Sequence, residues 1–374
     1  MSSLAVLHAD TARDWRGGQA QVLSLVTRLA GRGVRQLLAA PPGPLAARAC
    51  EAGISVETWA PSSDLDVPAA LRLARLARAF RPDLVHLHSA RAHATGVWAA
   101  RRSGAGCVVS RRVDFGVAGN PLSAFKYRLP VDRYLCISEG VRSVLRRGGV
   151  PENRLALAPS GIDVAAVARG VEDARREGRG AALRARLEVP VGAPLVGMVA
   201  ALAPHKDHAT FLAAARIVLD ARPECRFVCA GTGPLAGDVH ARRERLGLTG
   251  ALSLPGFVED VPALLASLDV FALSSYLEGL GTSVLDAQAA GVPVVATAVG
   301  GIPEMVRSGE TGLLVPARDP AALAGALLET LARPDEAAAR ARNARCAVRA
   351  FDLARTVEDT LACYREIVAE RGRA

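Results

Sequence analysis

The sequence predicts an α/β protein of two doubly wound parallel-sheet domains facing across a cleft. Short apolar runs alternate with longer stretches of helical periodicity from residue 4 onward. The alternation lapses over residues 164–192 and then restarts. The best-defined stretch, 270–301, reads as strand, loop, helix and strand, the repeating unit of a parallel sheet, whose ligands lie at the carboxyl ends of the strands. A chain of 374 residues is long enough for two such domains.

In the first domain, residues 1–163, strands are expected over Leu4–His8, Val34–Ala39, Ile54–Thr58, Asp83–His88, Cys107–Ser110 and Tyr134–Ile137. Helices are expected between them over Gln19–Leu29, Pro44–Ala52, Val67–Phe80, His93–Ser103, Pro121–Leu129 and Gly140–Arg147. In the first helix Val22, Leu23, Val26 and Leu29 recur at helical spacing and Gly31 stops it. Residues 164–192, rich in Arg, Glu, Ala and Gly without a strand pattern, read as a partly helical linker. The second domain, 193–350, repeats the plan with strands Leu195–Ala200, Arg226–Ala230, Ala251–Leu254, Val270–Leu273, Val292–Ala296 and Gly312–Val315. Its helices are expected over His208–Ala221, Leu235–Leu246, Thr282–Ala290, Pro303–Ser308 and Pro320–Leu331. A last helix, 353–370, has no strand after it and is expected to pack back on the first domain.

Composition narrows the class. Half of the residues are hydrophobic but only 4% aromatic, and no apolar run approaches a membrane helix. Residues 1–9 lack a secretory signal, so the cytoplasm is the expected compartment. Seven scattered cysteines without a CxxC pair read as reduced, buried thiols rather than metal ligands. The net charge of +9 comes from arginines spread over almost every helix without interleaved aromatics, which argues against nucleic acid. It suits anionic substrates or peripheral contact with anionic headgroups at the inner face of a membrane. Lys126 and Lys206 are the only lysines.

Candidate chemistry gathers at the strand ends of the second domain. Glu278 in the loop and Asp286 in the following helix flank Gly279, Leu280, Gly281 and Thr282, with Thr282 as the expected helix cap. On one continuous helix the two acids would stand about 80° apart, so Glu278 must sit on the loop if both meet one ligand. A helix start offers free N–H groups to a phosphate. Lys206 precedes a helix as a point charge for a diphosphate. Gly231 and Gly233 allow close backbone approach, and Phe257 and Val258 follow the next strand toward a nucleobase edge. Each loop alone is also explained as an ordinary turn; their convergence on one sheet edge is what points to a nucleotide-sugar. In the first domain, Gly17 and Gly18 precede a helix, with Arg16 beside them. His86 and His88 are read as lying on alternate faces, either one structural and one toward the ligand or both structural, and His93 as a surface residue. Arg111, Arg112 and Asp114 mark the acceptor side, with a salt-bridged loop as the rival account.

These residues resemble a retaining glycosyltransferase of family 4, with a GT-B fold of two Rossmann-like domains, over essentially the whole chain. The specific motifs are AAGVPVVAT, VGGIPEMVRSGETGLLV and the acid pair Glu278 and Asp286; GGQ at 17–19, DLVHLHS and CISEGVRSVL are looser. The resemblance implies that Glu278 holds the donor sugar's hydroxyls, Asp286 the ribose and Lys206 the diphosphate. It implies no metal and no cofactor beyond the UDP- or GDP-linked donor, and a saccharide or lipid-linked acceptor in surface glycan synthesis. The chain departs from the family pattern in four places. Asp286 stands for the usual Glu, Ala201 for an Arg, Ser160 for an Asn, and Arg111 or Arg112 for a histidine. Arg16 is the expected substitute for the missing Arg. The rival readings are a nucleotide-sugar 2-epimerase and a non-catalytic sugar-nucleotide-binding relative.

Overall fold

The computed structural model describes residues 4–113, 115–117 and 126–372. Asp114, and residues 121–125 of the helix expected over Pro121–Leu129, lie outside them. The chain divides into two units, one running to Gly161 and resuming at Leu353, the other spanning Ile162–Asp352.

The first unit holds seven parallel strands: β1 (Ala5–Ala9), β2 (Arg35–Ala40), β3 (Val56–Thr58), β4 (Leu84–Leu87), β5 (Gly106–Arg111), β6 (Arg133–Cys136) and β7 (Leu155–Leu157), in the order 3-2-1-4-5-6-7. All of β1 and β4 is buried, which explains their unbroken apolar runs: helices cover both faces. Register pairs His8 with His86 across β1 and β4. The helix Leu353–Arg371 completes this unit, burying Val357, Leu361, Tyr364 and Ile367 against Val6, Leu84 and Val108.

The second unit holds six parallel strands: β8 (Leu195–Val199), β9 (Arg226–Ala230), β10 (Leu252–Gly256), β11 (Val270–Leu273), β12 (Val294–Thr297) and β13 (Leu313–Val315), in the order 10-9-8-11-12-13. The stretch read as a linker folds instead as the helices Val164–Arg176 and Arg179–Arg186, both within this unit. They pack on the helix Val261–Ser267, where a Cβ on Gly170 would meet Pro262 at 3.1 Å and one on Gly180 would meet Ala266 at 3.1 Å. Arg179 also bonds Asp260 at 2.5 Å, and Arg184 the carbonyl of Ser267 at 2.7 Å. Small residues and arginines thus do the docking, and neither is an apolar stripe that periodicity detects. The helix Pro334–Ala347 is a further element that the sequence pattern did not announce. Of the seven cysteines, Cys50 and Cys346 are exposed rather than buried. No described helix is long and apolar enough to cross a membrane.

Candidate active site

In the second unit, backbone ties bring two loops together. After β8 the chain makes a short turn, Pro204–Lys206, and Asp207 adopts a left-handed conformation (φ 48°) while its side chain caps the helix His208–Ala221. Ser274, just past β11, reaches the carbonyls of Lys206 (3.0 Å) and Asp207 (2.9 Å). The Tyr276 N–H donates to the carbonyl of His205 at 3.0 Å. This fastening sets Lys206 Nζ against both carboxylate oxygens of Glu278, 2.8 Å from Oε2. Glu278 is 6% exposed and the lysine side chain 16%, so the pair is held largely out of water. The sequence placed these two on one ligand; in the structure they also hold each other.

The loop then turns through Gly281, whose φ of 87° favours glycine, and a Cβ there would lie 3.3 Å from Glu278 Oε1. Gly281, not Thr282, occupies the cap position of the helix Thr282–Ala290, and no side chain caps it. The first N–H groups therefore have no side-chain acceptor, which suits an anion. Asp286 is the fifth residue of this helix. It keeps part of its surface open, yet burial pushes its carboxyl up to about 7, and it has no partner among the described residues.

The remaining second-unit candidates divide. Gly231 (φ 149°) is required by its own chain: a Cβ would stand 1.9 Å from the carbonyl oxygen of Ala200. A Cβ on Gly233 would stand 2.5 Å from that of Leu202. Leu202 N–H donates to the Thr232 carbonyl at 2.9 Å, so these glycines press two loops together and need no ligand to explain them. Leu280 is buried, so only its main chain can meet a ligand. Phe257 is 56% exposed and presents a free ring face beside the partly buried Val258. Arg318 stacks on Tyr276 at 4.2 Å, adding a cation near the Lys206 loop that the sequence did not flag.

In the first unit the helix starts at Gly17, with no side-chain cap and no acid in its first turn. A Cβ on Gly18 would meet nothing within 4 Å. Arg16 pairs with Asp14 at 2.7 Å in solvent. The histidines depart from expectation. His86 and His88, two residues apart, lie on the same face, as a strand's period of two demands, with ring centroids 3.9 Å apart. Both are buried, and His8 joins them with its Nδ1 3.0 Å from His88 Nε2. His86 spends Nδ1 on the Tyr364 hydroxyl and Nε2 on Ser110 Oγ at 2.8 Å. Burial holds His8 down to about 3 and the other two well below the usual range, so all three are neutral. His93 is 2% exposed rather than on the surface, because Ser89 caps a helix that starts at Ala90, three residues before the expected start.

Arg111 and Arg112 point different ways. Arg111 donates to the Phe115 carbonyl at 2.5 Å and lies over Tyr127. Near it Lys126 is pushed down by burial, with Asp64 opposing and Arg111 adding to the fall. Arg112 reaches His88 Nδ1 at 3.3 Å, and burial lowers it to about 10 although Asp10 supports its charge. The rival account, a salt-bridged loop, turns on Asp114, which lies outside the described residues. Two cavities, of about 370 and 690 Å³, open at the amino ends of the two sheets, away from these residues.

Comparison with known proteins supplies the family. The family model for "Glycosyltransferase Family 4" matches residues 15–166, and that for "Glycosyl transferases group 1" matches residues 193–333. The 2-deoxystreptamine N-acetyl-D-glucosaminyltransferase of Streptomyces fradiae is 32% identical over 340 residues, covering 82% of this chain and 80% of that protein. The chain belongs to glycosyltransferase family 4. Similarity to this family's D-inositol 3-phosphate glycosyltransferases is more local. That of Salinispora tropica is 35% identical over 199 residues, half of this chain and 41% of that protein's length. Among solved structures, Anabaena HepE in complex with UDP and glucose aligns with a TM-score of 0.84 at 19% identity, over 97% of this chain and all of that one. Sucrose-phosphate synthase of Thermosynechococcus elongatus aligns at 0.79 and 20% identity over 98% of this chain and all of its own. Both share the fold, so this family 4 member has the two Rossmann-like domains of GT-B proteins.

Sequence reasoning about this family 4 chain missed His8, Asp10, Tyr364 and Arg318. Register would have found the first: once β1 and β4 pair, His8 and His86 must be neighbours. Tyr364 arrives from a helix more than 270 residues away, and no local pattern announces it.

Proposed function

We propose that the protein transfers a sugar from a nucleoside diphosphate to an acceptor hydroxyl with retention at the anomeric carbon. The observation that carries the reading is the Lys206–Glu278 pair set against an uncapped helix start, with the unpartnered Asp286 in the same helix. Departure of the diphosphate builds negative charge on its β-phosphate. In this reading Lys206, released from Glu278, and the N–H groups at Thr282 stabilise that charge. Glu278 then receives sugar hydroxyls and Asp286 the ribose, while the exposed ring of Phe257 offers a stacking face to the base. In this reading both Glu278 and Asp286 are engaged with hydroxyls of the donor, so neither is assigned as a covalent nucleophile. Substitution on one face of the sugar, with the leaving phosphate helping to deprotonate the acceptor, is therefore the mechanism we favour, with side-chain and backbone charge in place of a metal. HepE's complex with UDP and glucose supports a UDP-linked donor over a GDP-linked one. The acceptor we propose is a saccharide or lipid-linked saccharide of a bacterial surface glycan.

A thermal-shift panel of nucleoside diphosphates and their sugars tests the reading. One nucleotide-sugar is expected to stabilise the protein beyond its bare diphosphate. Transfer with that donor in the presence of EDTA, and NMR of the product's anomeric centre, then check metal independence and retention. Release of diphosphate with an altered free sugar would instead establish the epimerase.

A further inference from the structure

At the carboxyl ends of β1, β4 and β5, a relay of hydrogen bonds has its direction fixed by its first member. Arg112 can only donate, so its Nη2, 3.3 Å from His88 Nδ1, makes that nitrogen the acceptor. His88 then carries its proton on Nε2 and donates it to His8 Nδ1 at 3.0 Å. His8 in turn carries its proton on Nε2. That nitrogen and Gln36 Oε1 are both buried without a hydrogen-bond partner, although Gln36 lies near enough to His8 to oppose the fall in its basicity. Gln36 Nε2 is anchored on the Val26 carbonyl at 2.9 Å. The chain Arg112, His88, His8 thus runs one way from solvent edge to core.

The same nitrogens rule out a different use. The three imidazoles bring one ring nitrogen each within 4.8 Å of one another. Yet both nitrogens of His86 and both of His88 are taken by hydrogen bonds, so a shared ion would have to displace those partners.

Such a relay holds a cation rigidly without neutralising it. Its members carry no charge of their own, and Asp10, 1% exposed, is the carboxylate that faces Arg112. Asp10 also accepts from Ala12 N–H at 2.7 Å and from Gln19 in the first turn of the helix Gly17–Ala30. Arg112 Nε is buried with no partner, while the residue keeps part of its surface open. A guanidinium with spare donors in fork geometry fits an oxyanion that can accept two of them. We propose that Arg112 binds a phosphate or carboxylate group of the acceptor, and that His88 and His8 are positioning residues that aim it. The proposal rests on the transferase reading for the word acceptor, but its test does not.

The test uses the full chain with UDP at saturation, so that the donor site is filled. Phenylglyoxal labelling of Arg112, located by peptide mass spectrometry, is followed with methyl phosphate, glucuronate or glucose as added probe. Methyl phosphate, glucuronate or both should protect Arg112, and neutral glucose should not; which anion protects tells the phosphate source from the carboxylate source. By calorimetry, Arg112→Met should weaken the protecting anion about 10- to 100-fold and leave UDP affinity within about twofold. His88→Leu should weaken the anion as well, whereas His88→Asn, whose Oδ1 replaces Nδ1 as acceptor, should restore most of the binding. Circular dichroism confirms folding, and Arg112→Lys serves should the methionine variant fail to fold. Equal labelling of Arg112 with and without both anions would overturn the proposal while UDP binds. Absence of UDP binding would instead overturn the donor reading.

Discussion

Replacing Asp286 with Asn should make the second unit more stable at high pH and less able to bind donor. The carboxyl stands at about 7 in the folded chain against 3.8 in the open. A group raised on folding contributes its stability below the unfolded value, and that contribution is lost as pH climbs through the folded value. Wild type should therefore lose stability between pH 4 and pH 7, and the amide variant should not. Each pH unit between the two values corresponds to about 1.4 kcal/mol, which gives roughly 4 kcal/mol for a fully dry carboxyl. Because Asp286 keeps some surface in water, about 2 kcal/mol is the better expectation. Urea unfolding followed by far-UV circular dichroism reads this, since Trp15, Trp59 and Trp98 all lie in the first unit and fluorescence would report the wrong one. At pH 8.5 the variant's midpoint should rise by about 1 M, for a slope of about 2 kcal/mol per M, and the two midpoints should coincide only below the unfolded value, at about pH 3. UDP affinity should fall even as stability rises. Equal midpoints at pH 8.5, or a gap that persists undiminished at about pH 3, would refute the claim that an unpaired buried carboxyl sits there.

The Lys206–Glu278 pair predicts an asymmetry. Glu278→Gln leaves a mostly buried ammonium without its counter-charge and should lower stability by about 3 kcal/mol, so UDP, which supplies the missing negative charge, should raise its melting temperature more than that of wild type. Lys206→Met should respond to neither UDP nor UDP-sugar, and an unchanged response in both variants would remove the pair from the site. Gly231→Ala forces a Cβ into the Ala200 carbonyl and should lower stability by roughly 3 kcal/mol or more with no ligand present; a mild effect in chemical denaturation would return this glycine to the list of ligand contacts. Tyr364→Phe removes one hydroxyl from His86 and should lower the stability of the first unit by about 1 kcal/mol, read by tryptophan fluorescence.

Much of this was legible in the residues, and the failures have a common cause. Buried parallel strands write themselves as apolar runs, so β8, β9, β11 and β12 lay where the runs did. The site loop was legible because Glu278, Gly281 and Asp286 are local to one strand-loop-helix unit. What escaped was whatever depends on a partner distant in sequence. Residues 164–192 looked like a linker because Gly170 and Gly180 dock by being small, and their reason is Pro262 and Ala266. Gly231 looked like a ligand loop because a glycine's sequence does not say what its missing side chain would strike. His86 and His88 were assigned to opposite faces although the period of a strand is two; that was an error of counting, not of information.

The two units differ in how a candidate cation is held, and that difference bears on the proposed mechanism. Lys206 is neutralised by Glu278, so in the proposed mechanism an incoming diphosphate competes with a carboxylate that is then released to meet hydroxyls. One event thereby frees two groups, each matched to a different part of the same donor. Arg112 is held differently: its relay is neutral, and the carboxylate that faces it, Asp10, is itself tied to Ala12 and Gln19. A cation exchanged between partners discriminates occupied from empty, whereas a cation held fixed discriminates one ligand from another. On this account Lys206 governs whether a donor has bound and Arg112 which acceptor is taken, and substitutions at the two should separate in donor affinity and in acceptor choice.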